Sequence, residues 1–421
     1  MNNKIKVLPV LLALTLCSCG ERIGETDNYD KLIFQDNSGM LSQLGNEMIT
    51  PISTLNKSND KLNYSEQKAI WLSYIDLNEL FYQKSKEEFI QGFEEVCRRC
   101  KSIGVNTLYI HCRAFGDAFY DSSLFQKTKT FGDIDYDPLE LMTDIAHNNE
   151  LSVHAWINPL RCETKQELDK ADNELQITKW YNSDDDRLKY VTSDDHYWLD
   201  PAYDDVITLI CDGVKEIIDN YDVDGIHFDD YFYPTTDESF DAMAFELSGE
   251  SDLKSWRTEN INKLVSSVYK TVKSLDESIL FGISPQGNIN NNYEYMYADV
   301  GKWCSENGYI DYIAPQIYFG FENSVLPFES CAQEWNELVK NESVSLIIGL
   351  AAYKIYTDEE FIDKSDILSL QINSIRGLEG YSGYAFYNYI SLFPTDSERA
   401  VTANKQIDNI KKTDGQCEPL Q

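Results

Sequence analysis

Short apolar runs alternate with amphipathic helical patterns over most of the chain. The runs predict eight strands, over residues 69–74, 107–112, 151–157, 225–229, 279–284, 312–317, 346–351 and 383–387. Apolar residues at helical spacing predict helices between them, including residues 297–307 and 359–375, and Ser85 with Glu88 forms a capping box before the first long helix. This alternation predicts an α/β fold, a TIM-type (β/α)8 barrel. A doubly wound open sheet is the alternative, but no glycine-rich dinucleotide fingerprint follows the first strand.

Five of the predicted strands have one apolar face and one polar face. Successive side chains of a strand point to opposite faces, so Leu108 and Ile110 share the face opposite His111 and Arg113. We expect the apolar faces to pack against helices and the polar faces to line the barrel axis. The residues expected on the axis face are His111, Arg113, His154, Trp156, Asn158, His227, Asp229, Tyr231, Gly282, Ser284, Tyr312, Ala314, Gln316 and Tyr318.

The fourth predicted strand ends in two adjacent carboxylates, Asp229 and Asp230, which are followed by a cluster of aromatic residues. Reactive groups of (β/α)8 barrels gather at the carboxyl ends of the strands. Burying histidine, arginine and aspartate together without a function would cost desolvation energy. The pattern therefore favours an active site over a buried polar core.

Composition narrows the class of ligand. The 421 residues carry a formal net charge of −35, which repels nucleic acid and anionic lipid headgroups, so no nucleic-acid partner is expected. The 27 Tyr and seven Trp residues favour stacking on sugars or other flat, hydroxylated ligands. No cofactor is expected.

The amino terminus has the pattern of a bacterial lipoprotein signal. Lys4 and Lys6 precede an apolar run over residues 7–16, and Leu16-Cys17-Ser18-Cys19-Gly20 follows. We expect residues 1–18 to be a signal peptide and Cys19 to be lipidated, so that the protein is anchored to a membrane of the cell envelope and exposed outside the cytoplasm. An uncleaved membrane anchor is the alternative, but the run is shorter than the roughly 20 residues that a spanning helix needs.

Three segments are expected after the signal. Residues 19–65 are rich in Asn, Ser, Asp, Gly and Thr and predict a flexible tether. Residues 66–400 hold the predicted barrel. Residues 401–421 are expected to form a carboxyl-terminal extension.

Several ordered motifs resemble the glycosyl-hydrolase-like family 10 domain over roughly residues 66 to 400. They are Arg113-Ala114-Phe115-Gly116-Asp117-Ala118, Val153-His154-Ala155-Trp156-Ile157-Asn158-Pro159, Asp224-Gly225-Ile226-His227-Phe228-Asp229-Asp230-Tyr231, Gly282-Ile283-Ser284-Pro285 and Asp311-Tyr312-Ile313-Ala314-Pro315-Gln316-Ile317-Tyr318. The resemblance implies a barrel hydrolase that acts on a bacterial or environmental glycan. The family is seen in bacterial lipoproteins and includes an enzyme that digests peptidoglycan strands stripped of their stem peptides, so peptide-free strands are one candidate substrate.

Glycoside hydrolysis needs a carboxylic acid that protonates the leaving oxygen and usually a second carboxylate as base or nucleophile. We predict Asp229 as general acid or electrostatic stabiliser and Asp230 as its partner, with His227 adjusting their protonation. Both carboxyls can reach one sugar only if the chain turns at Asp230. The residues expected to bind substrate are Arg113, Asn158, Gln316 and Tyr318 at sugar hydroxyls, Trp156, Tyr233 and Tyr387 by ring stacking, and His154, Tyr231 and the loop carboxylate Asp117.

The fourth-strand motif also resembles the Asp-x-x-Asp-x-Asp-x-Glu signature of chitinase-like barrels. Asp224, His227, Asp229 and Tyr231 occupy the four positions, so Tyr231 stands where the acidic Glu is expected. This departure argues against a substrate-assisted, chitinase-like mechanism and moves the acid role to Asp229 or Asp230.

Two other functions remain open. Three imidazoles and a carboxylate, from His111, His154, His227 and Asp229, could hold zinc in a metal-dependent hydrolase or deacetylase, although no closely spaced histidine pair supports it. The favoured interpretation requires no metal. The other alternative is a glycan-binding lipoprotein that does not turn over its ligand.

Overall fold

The chain forms a closed barrel of parallel strands in the computed structural model, which describes residues 61–414. Strands that follow one another in the barrel pair in parallel, and the last strand pairs with the first. The predicted TIM-type (β/α)8 fold is therefore confirmed. The barrel strands are β1 (Gln67–Leu72), β2 (Thr107–Arg113), β3 (Ser152–Ile157), β4 (Gly225–Phe228), β5 (Leu280–Ile283), β6 (Tyr312–Ile313), β7 (Ser345–Ala351) and β8 (Tyr381–Tyr387).

Helices follow the strands, and two small sheets lie in the loops. The helices are α1 (Tyr74–Phe81), α2 (Lys86–Ser102), α3 (Pro138–Asn148), α4 (Lys165–Leu168), α5 (Gln176–Ser183), α6 (Asp204–Asn220), α7 (Ala242–Ser248), α8 (Leu253–Leu275), α9 (Ile289–Tyr295), α10 (Val300–Ser305), α11 (Phe328–Leu338), α12 (Glu359–Asp363), α13 (Ile367–Ile375), α14 (Tyr389–Leu392) and α15 (Ser397–Asp414), with a 3-10 helix at Ala352–Tyr356. Asp117–Ala118 pairs with Gln126–Lys127, and Leu188–Val191 forms an antiparallel hairpin with His196–Leu199. The predicted capping box of Ser85 and Glu88 is present before α2.

Alternation along the strands fills both sides of the barrel wall. Outward-facing Ile110, Ile226 and Phe281 are fully buried beneath the helices. The barrel interior is a separate core whose buried members are Ala69, Trp71, Tyr109, Trp156, Tyr312, Ala314, Ile347 and Ala385. The interior is therefore packed with side chains and is not an open channel.

Two glycines on the axis face allow large side chains to cross the barrel. A Cβ atom on Gly282 would lie 2.1 Å from Cζ of Tyr312, and one on Gly225 would lie 2.5 Å from Nδ1 of His154. Both distances are far inside van der Waals contact, so any larger residue would displace these rings.

Two aspartates that precede strands close the amino-terminal end of the barrel. Asp224 accepts hydrogen bonds from the backbone N–H groups of Leu62 at 2.7 Å and Val153 at 2.8 Å. Asp311 accepts one from the N–H of Phe281 at 2.7 Å. Both carboxylates satisfy backbone donors at the end of the barrel opposite the carboxyl ends of the strands, so their role is structural.

The predicted domain boundaries shift at both ends. Residues 61–65, which were assigned to the tether, are bound to the barrel. The Tyr64 hydroxyl donates to the Glu150 carbonyl oxygen at 2.6 Å, and the N–H of Leu62 donates to Asp224. Residues 401–414 lie in α15, where Ile407 and Ile410 are buried. The folded domain therefore includes part of the predicted carboxyl-terminal extension.

Three predicted elements differ clearly in their extent. The strand expected over residues 312–317 pairs regularly only at Tyr312–Ile313, because Pro315 lacks the N–H that a ladder requires. The helix expected over residues 359–375 is divided into α12 and α13, and the one expected over residues 297–307 is shortened to α10.

The predicted signal peptide over residues 1–18, the lipidation site Cys19 and the tether up to residue 60 lie outside the described residues. Within residues 61–414, none of the helices combines the length and the apolar character that crossing a bilayer requires.

Gly282→Ala is expected to destabilise the fold. The new methyl group would overlap the Tyr312 ring, which is stacked against Tyr109 with centroids 6.0 Å apart. Overpacking of this kind costs ~1–3 kcal/mol, and denaturant-induced unfolding should show a loss of that size. Gly377→Ala is the matched control, because no atom lies within 4 Å of its Cβ position. Equal free energies of unfolding for the two variants would contradict this packing.

Candidate active site

The two carboxylates that follow β4 have different surroundings. Asp229 is 3% exposed, and its carboxyl accepts hydrogen bonds from Nε1 of Trp156 at 3.2 Å and from the N–H of Tyr231 at 3.1 Å. Asp230 is half-buried, and its Oδ1 accepts a hydrogen bond from Nε2 of Gln316 at 2.9 Å. Because β4 ends at Phe228, the two carboxyls are held by different parts of the barrel mouth, Asp229 by β3 and Asp230 by the segment after β6.

The pair favours one retained proton. Burial raises the pKa of Asp229 well above its ordinary value, and the neighbouring charge of Asp230 raises it further. The hydrogen bonds from Tyr231 and Trp156 and the charge of Arg161 act in the opposite direction and are weaker. Since two adjacent carboxylates resist ionising together, the arrangement favours the protonated form of Asp229.

His227 lies within the barrel, surrounded by rings. Its Nε2 is 3.1 Å from Nε1 of Trp71 and 3.0 Å from Oγ of Ser284, and its Nδ1 is 2.9 Å from the Tyr312 hydroxyl. The imidazole stacks on Tyr109 with ring centroids 4.2 Å apart. We call Trp71, Tyr109, His154, His227 and Tyr312 the inner layer.

The hydrogen bond from Trp71 determines the tautomer of His227. An indole N–H can only donate, so Nε2 is unprotonated and Nδ1 donates to the Tyr312 hydroxyl. That hydroxyl is then free to donate to Nδ1 of His154 at 2.8 Å. Burial lowers the pKa of His227 well below its ordinary value, and the nearby His154 and His111 lower it further. The contacts make His227 a neutral support of the inner layer, which does not match the predicted adjustment of the aspartates' protonation.

His111 and Asn158 organise the loop after β2. The N–H of Tyr74 donates to Nδ1 of His111 at 3.3 Å, so Nε2 carries the proton and donates to Oδ1 of Asn158 at 3.1 Å. Asn158 in turn donates to the Ala114 carbonyl at 3.0 Å. Burial lowers the pKa of His111 to about 3. Asn158 is 2% exposed and bonds to protein groups, whereas we expected it to hold sugar hydroxyls.

Trp156 serves Asp229 rather than offering a stacking surface. One face of its ring lies on His111 with centroids 3.8 Å apart, and its Nε1 donates to Asp229. The residue is 5% exposed. The expected role of stacking on a sugar ring is therefore replaced by positioning of a carboxyl.

Arg113 points to the outer layer, so its expected position on the axis face is wrong. The pairing of β2 with β3 shifts register between His111 and Arg113, which places Arg113 beside outward-facing Ile157. Its guanidinium lies 4.1 Å from the ring centre of Phe125, and a Cβ atom on Gly213 of α6 would lie 2.2 Å from its Nη1. Regular alternation fails here because the strand contains a bulge.

Three other residues expected at the substrate lie inside the protein. Asp117 is buried and accepts hydrogen bonds from the N–H groups of Ala114 and Phe115, both at 2.9 Å. His154 lies in the inner layer, where burial lowers its pKa to about 4. Tyr233 is fully buried and lies against the guanidinium of Arg257. These placements correct the three expected contacts with substrate.

Tyr318 and Tyr387 are brought together at the mouth. Their ring centroids are 5.7 Å apart, and Tyr353, from the 3-10 helix after β7, lies 5.8 Å from Tyr318. All three are half-buried. We call these three residues the aromatic wall. Sequence reasoning did not single out Tyr353, because it lies outside every strand.

A buried carboxylate, Asp76 of α1, connects α1 to the segment that follows β8. It accepts hydrogen bonds from Nδ2 of Asn388 at 3.0 Å and from the N–H of Ile390 at 2.8 Å. Burial raises its pKa to about 6. Because Asn388 follows Tyr387, this connection fixes one end of the aromatic wall.

A second group missed by sequence reasoning flanks Tyr231. The guanidinium of Arg161 lies 5.0 Å from the ring centres of both Tyr231 and Phe115, and its Nη2 donates to Oδ1 of Asp194 at 2.9 Å. Asp194 belongs to the turn of the antiparallel hairpin. The available signal was that Arg161 stands three residues after Asn158, in the loop that follows a barrel strand.

Arg257 of α8 holds the loop after β4, which begins with Asp229 and Asp230. Its Nε and Nη2 donate to the two oxygens of Asp241 at 2.8 Å and 2.6 Å, and Nη2 also donates to the Asp237 carbonyl at 2.7 Å. The side chains of Arg257 and Asp241 are fully buried. A buried bidentate ion pair with these further bonds gives the loop a defined path away from β4.

The histidines do not converge on a metal site. Within residues 61–414, no group of three or more His, Cys, Asp or Glu side chains is arranged to hold a metal ion. His111 and His227 use their nitrogens on Asn158, Trp71 and other protein groups. This geometry argues against the zinc site considered for His111, His154, His227 and Asp229.

Comparisons with known proteins agree with the barrel fold. A sequence profile described as Glycosyl hydrolase-like 10 matches residues 66–365. Glycosyl hydrolase YngK from Bacillus subtilis is 30% identical over 360 residues, covering 75% of this chain and 68% of that protein. Glycosyl hydrolase DigH from Escherichia coli K12 is 32% identical over 285 residues, covering 60% of this chain and 63% of that protein.

Solved structures share the fold at low identity. The glycoside hydrolase domain of PgaB from Bordetella bronchiseptica has a TM-score of 0.55 and 13% identity, covering 81% of this chain and 99% of that one. An alpha-L-fucosidase from Paenibacillus thiaminolyticus has a TM-score of 0.53 and 11% identity, covering 84% of this chain and 50% of that one.

His227 is expected to remain unprotonated from pH 5 to pH 8. Burial lowers the pKa of His227. Burial also acts to lower the pKa of His147, but the hydrogen bond to Asp224 and the charges of Asp224 and Asp222 outweigh it, so the pKa of His147 is raised. With five histidines in the chain, an NMR titration of the imidazole signals can follow both residues. His147 should show a pKa above its ordinary value and serves as the internal control. Titration of His227 near pH 6 would restore the proton-exchanging role considered from the sequence.

Proposed function

We propose that this chain, which belongs to the Glycosyl hydrolase-like 10 family and is a glycoside hydrolase, cleaves peptide-free glycan strands of peptidoglycan. The observation that carries the catalytic proposal is the contrast between Asp229 and Asp230, one buried and one half-buried at the same strand end. Two neighbouring carboxyls in such different surroundings are suited to acid and base roles.

Asp229 is assigned as the general acid. Burial raises its pKa and favours the protonated form, which can donate to the leaving glycosidic oxygen. Activity that depends on this proton is retained below the Asp229 pKa and lost as the pH rises through it. The donors from Trp156 and Tyr231 hold the carboxyl in one orientation throughout.

Asp230 is assigned as the partner carboxylate. It is the more exposed carboxyl, and the amide of Gln316 fixes one of its oxygens. The same amide donates to the Ser284 carbonyl at 2.9 Å, so Gln316 is itself held in place. An ionised carboxylate in this position can act as base or nucleophile, or stabilise an oxocarbenium-like transition state.

The aromatic wall supports a sugar substrate. Half-buried tyrosine rings offer both a flat apolar face for a pyranose and a hydroxyl for hydrogen bonding. The choice of peptide-free peptidoglycan rests on the family resemblance, since the family includes an enzyme that digests such strands, and on the expected location in the cell envelope.

The full-length protein in detergent should release new reducing ends from peptidoglycan that an amidase has stripped of stem peptides. Products should be identified by mass, with cellulose, chitin and mannan oligosaccharides as alternative substrates. Asp229→Asn and Asp230→Asn should each lower turnover by at least ~100-fold, the usual scale for a lost acid or base. Binding of the glycan should be largely retained.

Asp144→Asn is the matched control, because Asp144 is exposed on α3. Wild-type turnover in both active-site variants would refute the catalytic assignment. Glycan binding without new reducing ends in the wild type would instead identify a binding protein. Preferential cleavage of another glycan would keep the mechanism and change the substrate.

We also propose that Cys19 carries a lipid anchor in the cell envelope. The motif Leu16-Cys17-Ser18-Cys19-Gly20 supports this, since Ser18 gives the small residue wanted before the modified cysteine, whereas Leu16 before Cys17 is bulky.

Cys19→Ser should move the protein from the membrane fraction to the soluble fraction, because acyl chains attached at this residue provide the affinity for the bilayer. Cys17→Ser is the control and should stay with the membrane. Fractionation followed by immunoblotting measures the distribution. Membrane association of Cys19→Ser equal to that of the wild type would exclude the anchor.

A further inference from the structure

Arg161 is a cation built into a mouth that otherwise carries carboxylates. It follows β3, and its backbone forms an antiparallel bridge with Trp198 of the hairpin. Its guanidinium lies between the rings of Phe115 and Tyr231, 5.0 Å from each ring centre. The side chain is 10% exposed, in a chain of net charge −35. Placing a desolvated arginine here requires compensation or a use.

The compensation comes from Asp194 and is incomplete. Nε and Nη2 of Arg161 donate to the two oxygens of Asp194 at 3.3 Å and 2.9 Å, and Trp198 donates to the same carboxylate at 2.9 Å. Nη1 has no hydrogen-bond partner among the residues that the structure describes, and it is not one of their fully enclosed unpaired atoms. One edge of the guanidinium therefore remains available at the surface of the mouth.

This edge lies close to the reacting groups. Its guanidinium lies 5.0 Å from the ring centre of Tyr231, whose N–H donates to Asp229, and its charge acts to lower the pKa of both residues. An arginine fixed by two aromatic faces and one bidentate pair keeps its remaining N–H groups in a constant direction. Such an edge recognises a planar carboxylate better than a neutral hydroxyl.

We propose that Arg161 binds a carboxylate carried by the sugar chain, namely the lactyl carboxylate that becomes free when the stem peptide is removed. The inference rests on the proposed function and gives a physical reason for a preference for strands without stem peptides. In an intact strand this group is a neutral amide that continues into a peptide, so it offers no charge to Arg161 and adds bulk. Arg161 therefore selects the stripped strand.

The competing explanation is that Arg161 and Asp194 only attach the hairpin to the barrel. The two explanations differ in what a substitution does to discrimination between substrates. A purely structural arginine affects every substrate alike. A carboxylate-binding arginine affects only the substrate that carries the carboxylate.

The test compares peptide-free glycan with the same glycan after chemical reduction of its carboxylates to alcohols. Wild-type enzyme should prefer the carboxylate form in kcat/KM by about 10-fold to 100-fold, the range for a hydrogen bond to a charged group. Arg161→Gln should reduce this preference to about onefold, mainly by raising KM for the carboxylate form. Arg161→Lys should recover part of the preference. Arg187→Gln is the matched control, because Arg187 pairs with Asp185 and Asp205 instead.

An equal loss on both glycans in Arg161→Gln, or a wild type without preference, would overturn the proposal while leaving the hydrolase assignment intact. Should Arg161→Gln fail to fold, Arg161→Lys and the wild-type preference decide the matter. Calorimetric titration of Asp230→Asn with the two glycans gives a readout without turnover. Selective binding of the carboxylate form, combined with no hydrolysis by the wild type, would retain the carboxylate subsite and refute the proposed function.

Discussion

The hydroxyl of Tyr312 connects the two histidines at the centre of the barrel, and the site above depends on this connection. The hydroxyl accepts a hydrogen bond from Nδ1 of His227 and donates one to Nδ1 of His154. Three polar rings therefore fill the axis without any formal charge. Gly225 and Gly282 provide the necessary space. A neutral interior leaves the carboxyls at the mouth to influence one another directly.

Above this neutral interior, two adjacent aspartates have different surroundings. One step along the chain separates Asp229, enclosed by Trp156 and its own turn, from Asp230, which meets Gln316 near the surface. The difference arises where β4 stops, because a strand that continued would have placed the second carboxyl among the helices. The end of a strand is thus what makes adjacent residues chemically unequal.

Alternation along strands was sufficient to predict the barrel and the inward direction of His111, His154 and His227, because those stretches of the ladder are regular. It failed at Arg113, where a bulge reverses the faces. Residue type suggested that Trp156 stacks on sugars, but whether a ring is open or already hydrogen-bonded is decided by its neighbours in space. Arg161 meets Asp194 through a hairpin that follows no periodic pattern, so only the folded chain unites them.

The filled barrel also limits how a polymer can approach. With Tyr312 and His227 occupying the axis, there is no depth into which a sugar chain could thread, and the bond to be cut must come to rest across the rim. Preference among glycans is therefore expected to depend on the loops that border the rim. Those loops can diversify by insertion or replacement while the packed barrel interior beneath them stays unchanged. Selectivity can therefore evolve separately from the scaffold.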